Sequence, residues 1–374
     1  MNKLMIEKMV LVAVMAVGAT ATGAGKQLMN LPPCAKGEKR VAVQPELTWP
    51  EKPGEAEVCL WKDDKIAALS ITIDDNCKPD HEWWLKLSEE LGFKLTWFVI
   101  TDRVDRKENS GFVGTWEDWQ KLADAGHSIQ SHTTNHQSEK TMKRPLTDEE
   151  LEAMYRDSLA TIAAHVKGNR ACCIAYPRGE AHREIVAKHV IAARGTSGVP
   201  DTADRIDYLC TNSGGSVATA EMLVDGRTEK GPKWLGSKTY LKRGWAVVLY
   251  HLVHHGKTAE EQQASAAKVE ADVREMASHQ DRLWIGRFED VARYGQERDT
   301  AKLNVKVEGA KIRVAVTDDM KDDLFDFPLT VKIRLPDGWK TVKGGRFVEH
   351  DGKPFALVDV VPDRGEVVVV RSDK

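Results

Sequence analysis

An apolar run that ends in two acids constrains this chain more than any other stretch. Ile66-Ala67-Ala68-Leu69-Ser70-Ile71-Thr72-Ile73 is aliphatic or β-branched almost throughout, and it runs straight into Asp74-Asp75-Asn76. Such a run reads as a strand buried on both faces of a sheet. Two acids at the tip of a buried strand oppose folding, because like charge and desolvation both act against them. A metal ion or a shared proton resolves the conflict; the plain alternative is a solvated turn that merely ends the strand.

The residues that follow repeat the theme. Trp84, Leu87, Ser88 and Leu91 recur at helical spacing and Gly92 stops them, so a helix follows the first strand. Lys94 to Ile100 reads as a strand, and Thr115 with Asp118 opens a second helix through a capping box. Ser128-Ile129-Gln130 is a short strand, Thr147-x-x-Glu150 caps a long helix, Arg170 to Tyr176 is a strand and Arg183 to Ala193 a helix. Residues 195 to 240 are Gly-rich and ambiguous, with Tyr208-Leu209 a candidate strand. Trp245 to His251 is a strand, Ala259 to Ser278 a helix, Leu283 to Ile285 a strand and Phe288 to Arg298 a helix. Alternation of this kind predicts an α/β domain with a parallel sheet, open or closed into a barrel. In either layout, groups at the carboxyl ends of the strands converge on one site.

After residue 300 the pattern changes to alternating strands separated by turns such as Pro336-Asp337-Gly338, which predicts a small all-β sandwich. The expected division is a leader at 1–24, an irregular lead-in at 25–60, the α/β domain at 61–298 and the β domain at 299–374. The leader is expected because Lys3 and Lys8 precede the apolar core Val10 to Val17, and Ala19-Thr20-Ala21 or Thr22-Gly23-Ala24 offers a cleavage site. It predicts export to the periplasm or the exterior, and no later segment is apolar enough to span a membrane. Lys and Arg are spread through a chain of net charge -3, which gives no footprint for a nucleic-acid partner. Six cysteines follow the leader without a small-domain disulfide or zinc-finger spacing; Cys34 and Cys59 are a candidate bridge, and the adjacent Cys172 and Cys173 read as buried residues. Nothing in the sequence sets an oligomeric state.

The polar residues at predicted strand ends form one set: Asp74 and Asp75, His132 and His136, Tyr176-Pro177-Arg178, and His251. Two imidazoles four apart in Ser131-His132-Thr133-Thr134-Asn135-His136 can meet one ion from a single turn or tight loop. With one carboxylate they make three protein ligands and leave positions open for water and substrate, an arrangement suited to a catalytic Zn2+ or similar divalent ion.

These residues resemble the polysaccharide deacetylases, the NodB-homology domains of carbohydrate esterase family 4. Thr72-Ile73-Asp74-Asp75-Asn76 is similar to the family's T-F-D-D-G, and Gly126 to His136 resembles G-H-E-I-x-S-H-[ST]-x-x-H. Val247-Val248-Leu249-Tyr250-His251 is similar to the late strand that ends in the family's catalytic His. The resemblance covers roughly residues 60 to 295. It implies a distorted (β/α) barrel, a metal held by Asp75, His132 and His136, Asp74 as general base, His251 as general acid, and an oxyanion-binding backbone N–H at position 178. It also implies an acetylated oligo- or polysaccharide as substrate, with N-acetyl favoured over O-acetyl. An O-acetyl esterase of xylan-like polymers and a carbohydrate-binding protein with a vestigial site are the other readings.

The chain departs from the family where R-P-P-Y is replaced by Ala175-Tyr176-Pro177-Arg178, which removes the arginine that flanks the base. Arg178 is the expected substitute. The late Asp that partners the family's catalytic His has no counterpart in the sequence, and Trp234, Trp245 and Asp225 are candidates for the groove. His127 reads as a structural, hydrogen-bonded imidazole, His254 and His255 as a solvated loop, Cys77 as too crowded to ligate, and Trp339 as the candidate sugar platform of the β domain.

Overall fold

The computed structural model of the protein describes residues 27–44, 46–213, 220, 223–224 and 243–372. The leader, Asp225 and Trp234 lie outside the described residues.

The acid-tipped strand is β2 (Ala67–Asp74), and all eight of its residues are buried. It stands at the centre of a parallel sheet. On one side β2 pairs with β7 (Trp245–Tyr250), with Ala68 opposite Trp245 and Ile73 opposite Tyr250. On the other side its first half pairs with β8 (Leu283–Ile285) and its second half with β3 (Thr96–Val99). Beyond β3 come β4 (Ser128–Ser131), β5 (Cys173–Ala175) and β6 (Ala192–Arg194), all parallel. The sheet curls, and single bridges from Arg194 to Thr211 and from Ser213 to Val247 join its two outer strands. The result is a distorted barrel with its strand ends gathered at one mouth.

Three helices over this sheet open or close on the signals that the sequence predicts. α1 (His81–Leu91) ends on Gly92 at φ 74°, a left-handed position that favours glycine. α2 (Trp116–Asp124) and α3 (Asp148–His165) open on the Thr115/Asp118 and Thr147/Glu150 capping boxes, and α4 (Ala259–Ala277) opens on Thr258/Glu261. α5 (Phe288–Thr300) is buried continuously from Phe288 to Arg298. It is central to the packing, and the loss of Phe288, 0% exposed, would remove about 2 kcal/mol of apolar burial.

Two expectations fail here. Arg183 to Ala193 is not one helix: the helical segment ends at Val186, and the apolar Val190-Ile191-Ala192-Ala193 feeds β6. Sheet pairing with β5 outweighs helical spacing in so short a run. Tyr208-Leu209 is a turn rather than a strand, although the Tyr208 carbonyl accepts the Ala193 N–H.

The remaining strands form two four-stranded antiparallel sheets. One holds β1 (Ala56–Val58), β11 (Leu329–Arg334), β14 (Lys353–Val360) and β13 (Arg346–His350). The other holds β12 (Val342–Lys343), β15 (Glu366–Arg371), β10 (Lys311–Thr317) and β9 (Lys302–Glu308). The lead-in is therefore not irregular throughout, since β1 supplies an edge strand beside β11. Ile312, Val331 and Val358 of these sheets share one core with Trp61, Trp245 and Phe288. Trp339, 5% exposed, belongs to that core and offers no platform; Trp245, 0% exposed, donates its indole N–H to Ser70 and lines no groove. All six cysteines are free, Cys34 and Cys59 included. Among the described residues no helix is long and apolar enough to cross a membrane.

Candidate metal and acyl-transfer site

Four loops at the carboxyl ends of the strands build the site. β2 breaks at Asp75 (φ 66°) and Asn76 (φ 55°), two successive left-handed residues that turn the chain out of the sheet. Asn76 tolerates that backbone and uses its amide to fix the turn: its Oδ1 accepts the Ile100 N–H at 2.8 Å, and its Nδ2 donates to the Ile100 carbonyl at 3.2 Å. The loop after β4 is tied to the loop after β3 by Thr101 N–H to the Thr133 carbonyl and Asp102 N–H to the Thr134 carbonyl. Thr133 (φ 68°) and His136 (φ 59°) are left-handed too, and the Thr133 hydroxyl caps the His136 N–H at 3.0 Å.

Within this frame Asp75, His132 and His136 place one ligand atom each within 4.8 Å of one another. Asp75 Oδ1 lies 3.8 Å from His132 Nε2 and 3.7 Å from His136 Nε2. Asp75 Oδ2 lies 3.8 Å from Nε2 of His251, which enters from the end of β7 with its side chain 52% exposed. His132 Nδ1 faces the Ala175 carbonyl at 2.9 Å, which assigns the proton to Nδ1 and leaves Nε2 as an acceptor aimed at the acids. Burial first, and then the neighbouring His132, hold His136 down to about 4, so its imidazole is neutral and ready to ligate near neutral pH.

The fit to a divalent ion rests on what the site leaves unsatisfied. Asp75 Oδ1 is buried and has no hydrogen-bond donor, and Asp74 Oδ1 is in the same position. Buried carboxylate oxygens without partners are rare and mark an ion, a water or a functional group. One carboxylate and two neutral imidazoles are the donors that a catalytic divalent site uses.

Asp74, with its side chain 2% exposed, is held differently from Asp75. Its Oδ2 accepts a hydrogen bond from Arg194 Nη2 and lies 3.5 Å from His132 Nε2. Arg194 is fully buried, stacks its guanidinium 5.1 Å from the Phe98 ring centroid and donates to the Gly195 carbonyl. It stands on β6 directly opposite Ala175 of β5. The arginine that pairs with Asp74 therefore comes from β6, the strand beside the one that carries Ala175.

Arg178 does not play that part. It is exposed, sits in a left-handed turn at φ 56°, and the ion pair with Asp74 is made by Arg194. Arg194 was invisible in the sequence because the segment before it reads as helix. Asp80 carries no signal in the sequence either, because an acid beside a proline reads as a helix start. It is fully buried, accepts the Val253 and His254 N–H groups and pairs with His254 Nδ1. It thereby anchors the loop that carries His251, and His254 is not merely solvated. His127 donates and accepts within the fold: its Nδ1 accepts the Leu95 N–H at 3.0 Å. Cys77 points back at the Asp74 carbonyl, with Sγ 3.2 Å away, and burial raises its thiol far above the usual range.

Comparison with known proteins agrees with the motifs. The polysaccharide deacetylase family model matches residues 62–192. A gellan lyase from a Bacillus species is 37% identical across 92% of this chain, which corresponds to 14% of the lyase's own length. The chain therefore spans about one-seventh of that relative. Among solved structures, a deacetylase of Streptococcus pyogenes is 20% identical over 38% of this chain and 62% of its own, at a TM-score of 0.34. A family 4 carbohydrate esterase of Streptomyces lividans is 16% identical over 59% of this chain and 93% of its own, at a TM-score of 0.35.

Proposed function

We propose that the chain, whose residues 62–192 match the polysaccharide deacetylase family, is an exported, metal-dependent hydrolase that removes acetyl groups, N-acetyl in the first place, from a carbohydrate polymer. The observation that carries the proposal is the meeting of Asp75, His132 and His136 within 4.8 Å around an orphaned carboxylate oxygen. These three residues would hold a divalent ion, Zn2+ by its donors, which supplies Lewis acidity to polarise an acyl carbonyl and acidify a water.

The remaining steps fall to groups of the chain itself. Asp74 is the general base. Arg194 occupies and orients its Oδ2, so Oδ1, which has no partner, is the atom left to take the proton of the attacking water. His251, exposed at the mouth and held by the Asp80 anchor, is placed to protonate the departing amine or hydroxyl of the sugar. His132 is kept in one tautomer by the Ala175 carbonyl, which fixes the direction of its Nε2. The backbone N–H of Arg178, in the turn after β5, is the proposed donor to the oxyanion. The likeness to a gellan lyase supports a polysaccharide over a small amide as substrate. Export rests on Lys3, Lys8 and the apolar Val10 to Val17.

The test is acetate release by the zinc-loaded protein on N-acetylglucosamine oligomers and acetylated xylan in parallel, with a chelator control. Chelator-sensitive release from the oligomers is expected. Release from xylan alone would make it an O-acetyl esterase, and no release from either with metal bound would point to a narrower substrate or to a carbohydrate-binding protein.

A further inference from the structure

The turn that follows β5 is held from two sides, and one side chain makes the longer of the two ties. Pro177–Gly179 is a single turn whose middle residue, Arg178, is left-handed at φ 56°. It closes on itself through the Gly179 N–H to the Tyr176 carbonyl at 3.0 Å and the Glu180 N–H to the Pro177 carbonyl at 3.2 Å. These bonds set the shape of the turn, but not where it stands at the mouth.

On one flank the turn leans on the loop that leaves β6. The Tyr176 N–H donates to the Arg194 carbonyl at 3.0 Å, and just beyond Arg194 the chain passes hard against Gly179. A Cβ on Gly179 would overlap the Thr196 hydroxyl and lie 3.3 Å from the Thr196 backbone nitrogen. Gly179 is also left-handed, at φ 74°, so space and backbone both call for glycine.

On the other flank stands the chain that follows His136. Ser138 caps the Thr141 N–H of a short helical turn, Glu139–Met142, which leaves the N–H groups of Glu139 and Lys140 without an acceptor inside it. Glu180 serves both: its Oε2 accepts the Glu139 N–H at 2.7 Å and its Oε1 accepts the Lys140 N–H at 3.3 Å. The stronger of these bonds spans 41 residues of chain. Past Glu180, His182 Nδ1 meets the Tyr155 hydroxyl at 2.7 Å, which fastens the same segment to α3.

We propose that Glu180 is a positioning residue whose carboxylate fixes the Arg178 N–H relative to the loop that carries His132 and His136. The inference rests on the reading of that N–H as the oxyanion donor. Such a donor works only if it is held in advance where the charge will develop, and a displacement of about 1 Å is enough to cost a large factor in rate. In the sheet β5 lies between β6 and β4, so Thr196 is a stop on one flank and Glu180 a tether on the other.

The experiment compares the native chain, Glu180→Ala and Glu180→Gln, all zinc-loaded, by amide hydrogen exchange over residues 137–142 and 176–182 and by acetate release from N-acetylglucosamine oligomers. Glu180 is partly exposed, so both variants should fold. In Glu180→Ala both segments are expected to exchange about fivefold faster through the lost hydrogen bonds. Its kcat should fall about tenfold or more with KM nearly unchanged, because the lost alignment acts in the transition state. Zinc affinity should stay at the native value. Gln keeps one acceptor oxygen and should recover part of both effects. Native exchange rates in Glu180→Ala would overturn the proposal. So would faster exchange with native kcat, or a kcat that excess zinc restores, since Glu180 would then serve the metal ligands alone. No acetate release by the native chain would sink the reading of the site, and with it the purpose of the tether.

Discussion

The two ends of the parallel sheet carry similar numbers of charged side chains and treat them in opposite ways. At the amino ends of β3, β4 and β5, Arg287, Glu289 and Arg293 line a cavity of about 210 Å3 with His127 and Arg170, and Asp290 pairs with both arginines behind it. Every buried polar atom of Arg287, Glu289, Asp290 and Arg293 has a partner: Arg287 and Arg293 bind Asp290, and Glu289 takes Arg287 and the Thr96 hydroxyl. At the carboxyl ends, Asp74 Oδ1, Asp75 Oδ1 and Arg194 Nε are all left without one. A saturated network serves the fold, whereas unmet donors and acceptors at converging strand ends are reserved for what binds there.

Substitutions at each end should separate the two roles. Asp74→Asn removes the proposed base and should lower kcat for acetate release by about 10³-fold while the protein keeps its metal, which metal analysis beside the assay would check. Glu289→Ala breaks the saturated end. It should cost about 2 kcal/mol in urea unfolding, because the Thr96 hydroxyl loses its buried acceptor and Arg287 keeps only Asp290, with kcat per folded molecule unchanged. A fall in kcat as large as that of Asp74→Asn would erase the distinction between the ends.

The next effect is a dependence on pH. Burial holds both His81 and His127 down to about 4 against 6.5 in the unfolded chain. The unfolded state therefore takes up protons first, and stability present above pH 6.5 is lost as the pH falls toward 4. Each imidazole contributes up to roughly 3 kcal/mol to that loss. Unfolding midpoints measured from pH 7 to 4 should show the slope, and His127→Gln should flatten part of it. The smallest effect belongs to Arg178→Ala. Its side chain makes no pair with Asp74, so the pH–rate profile should stay where it is.

How much of this was legible beforehand differs by residue. The strand that ends in Asp74 and Asp75, the capped helices and the His132/His136 spacing are local patterns, and they could be read one segment at a time. Arg194 could not, because its role depends on β6 lying beside β5 in a register that sets it opposite Ala175. Asp80 was illegible for the same reason, since its partners Val253 and His254 are more than 170 residues away.

The sequence by itself determined most of the elements, the order in which they alternate and the candidate metal ligands Asp75, His132 and His136, because hydrophobic period, caps and short-range spacing act within a few residues of chain. Only the tertiary structure decided which arginine pairs with Asp74, which acid anchors the His251 loop, that β1 joins the antiparallel sheets and that the two cores merge across α5. Those outcomes depend on long-range register and on competition for buried space, and neither is written in any single segment.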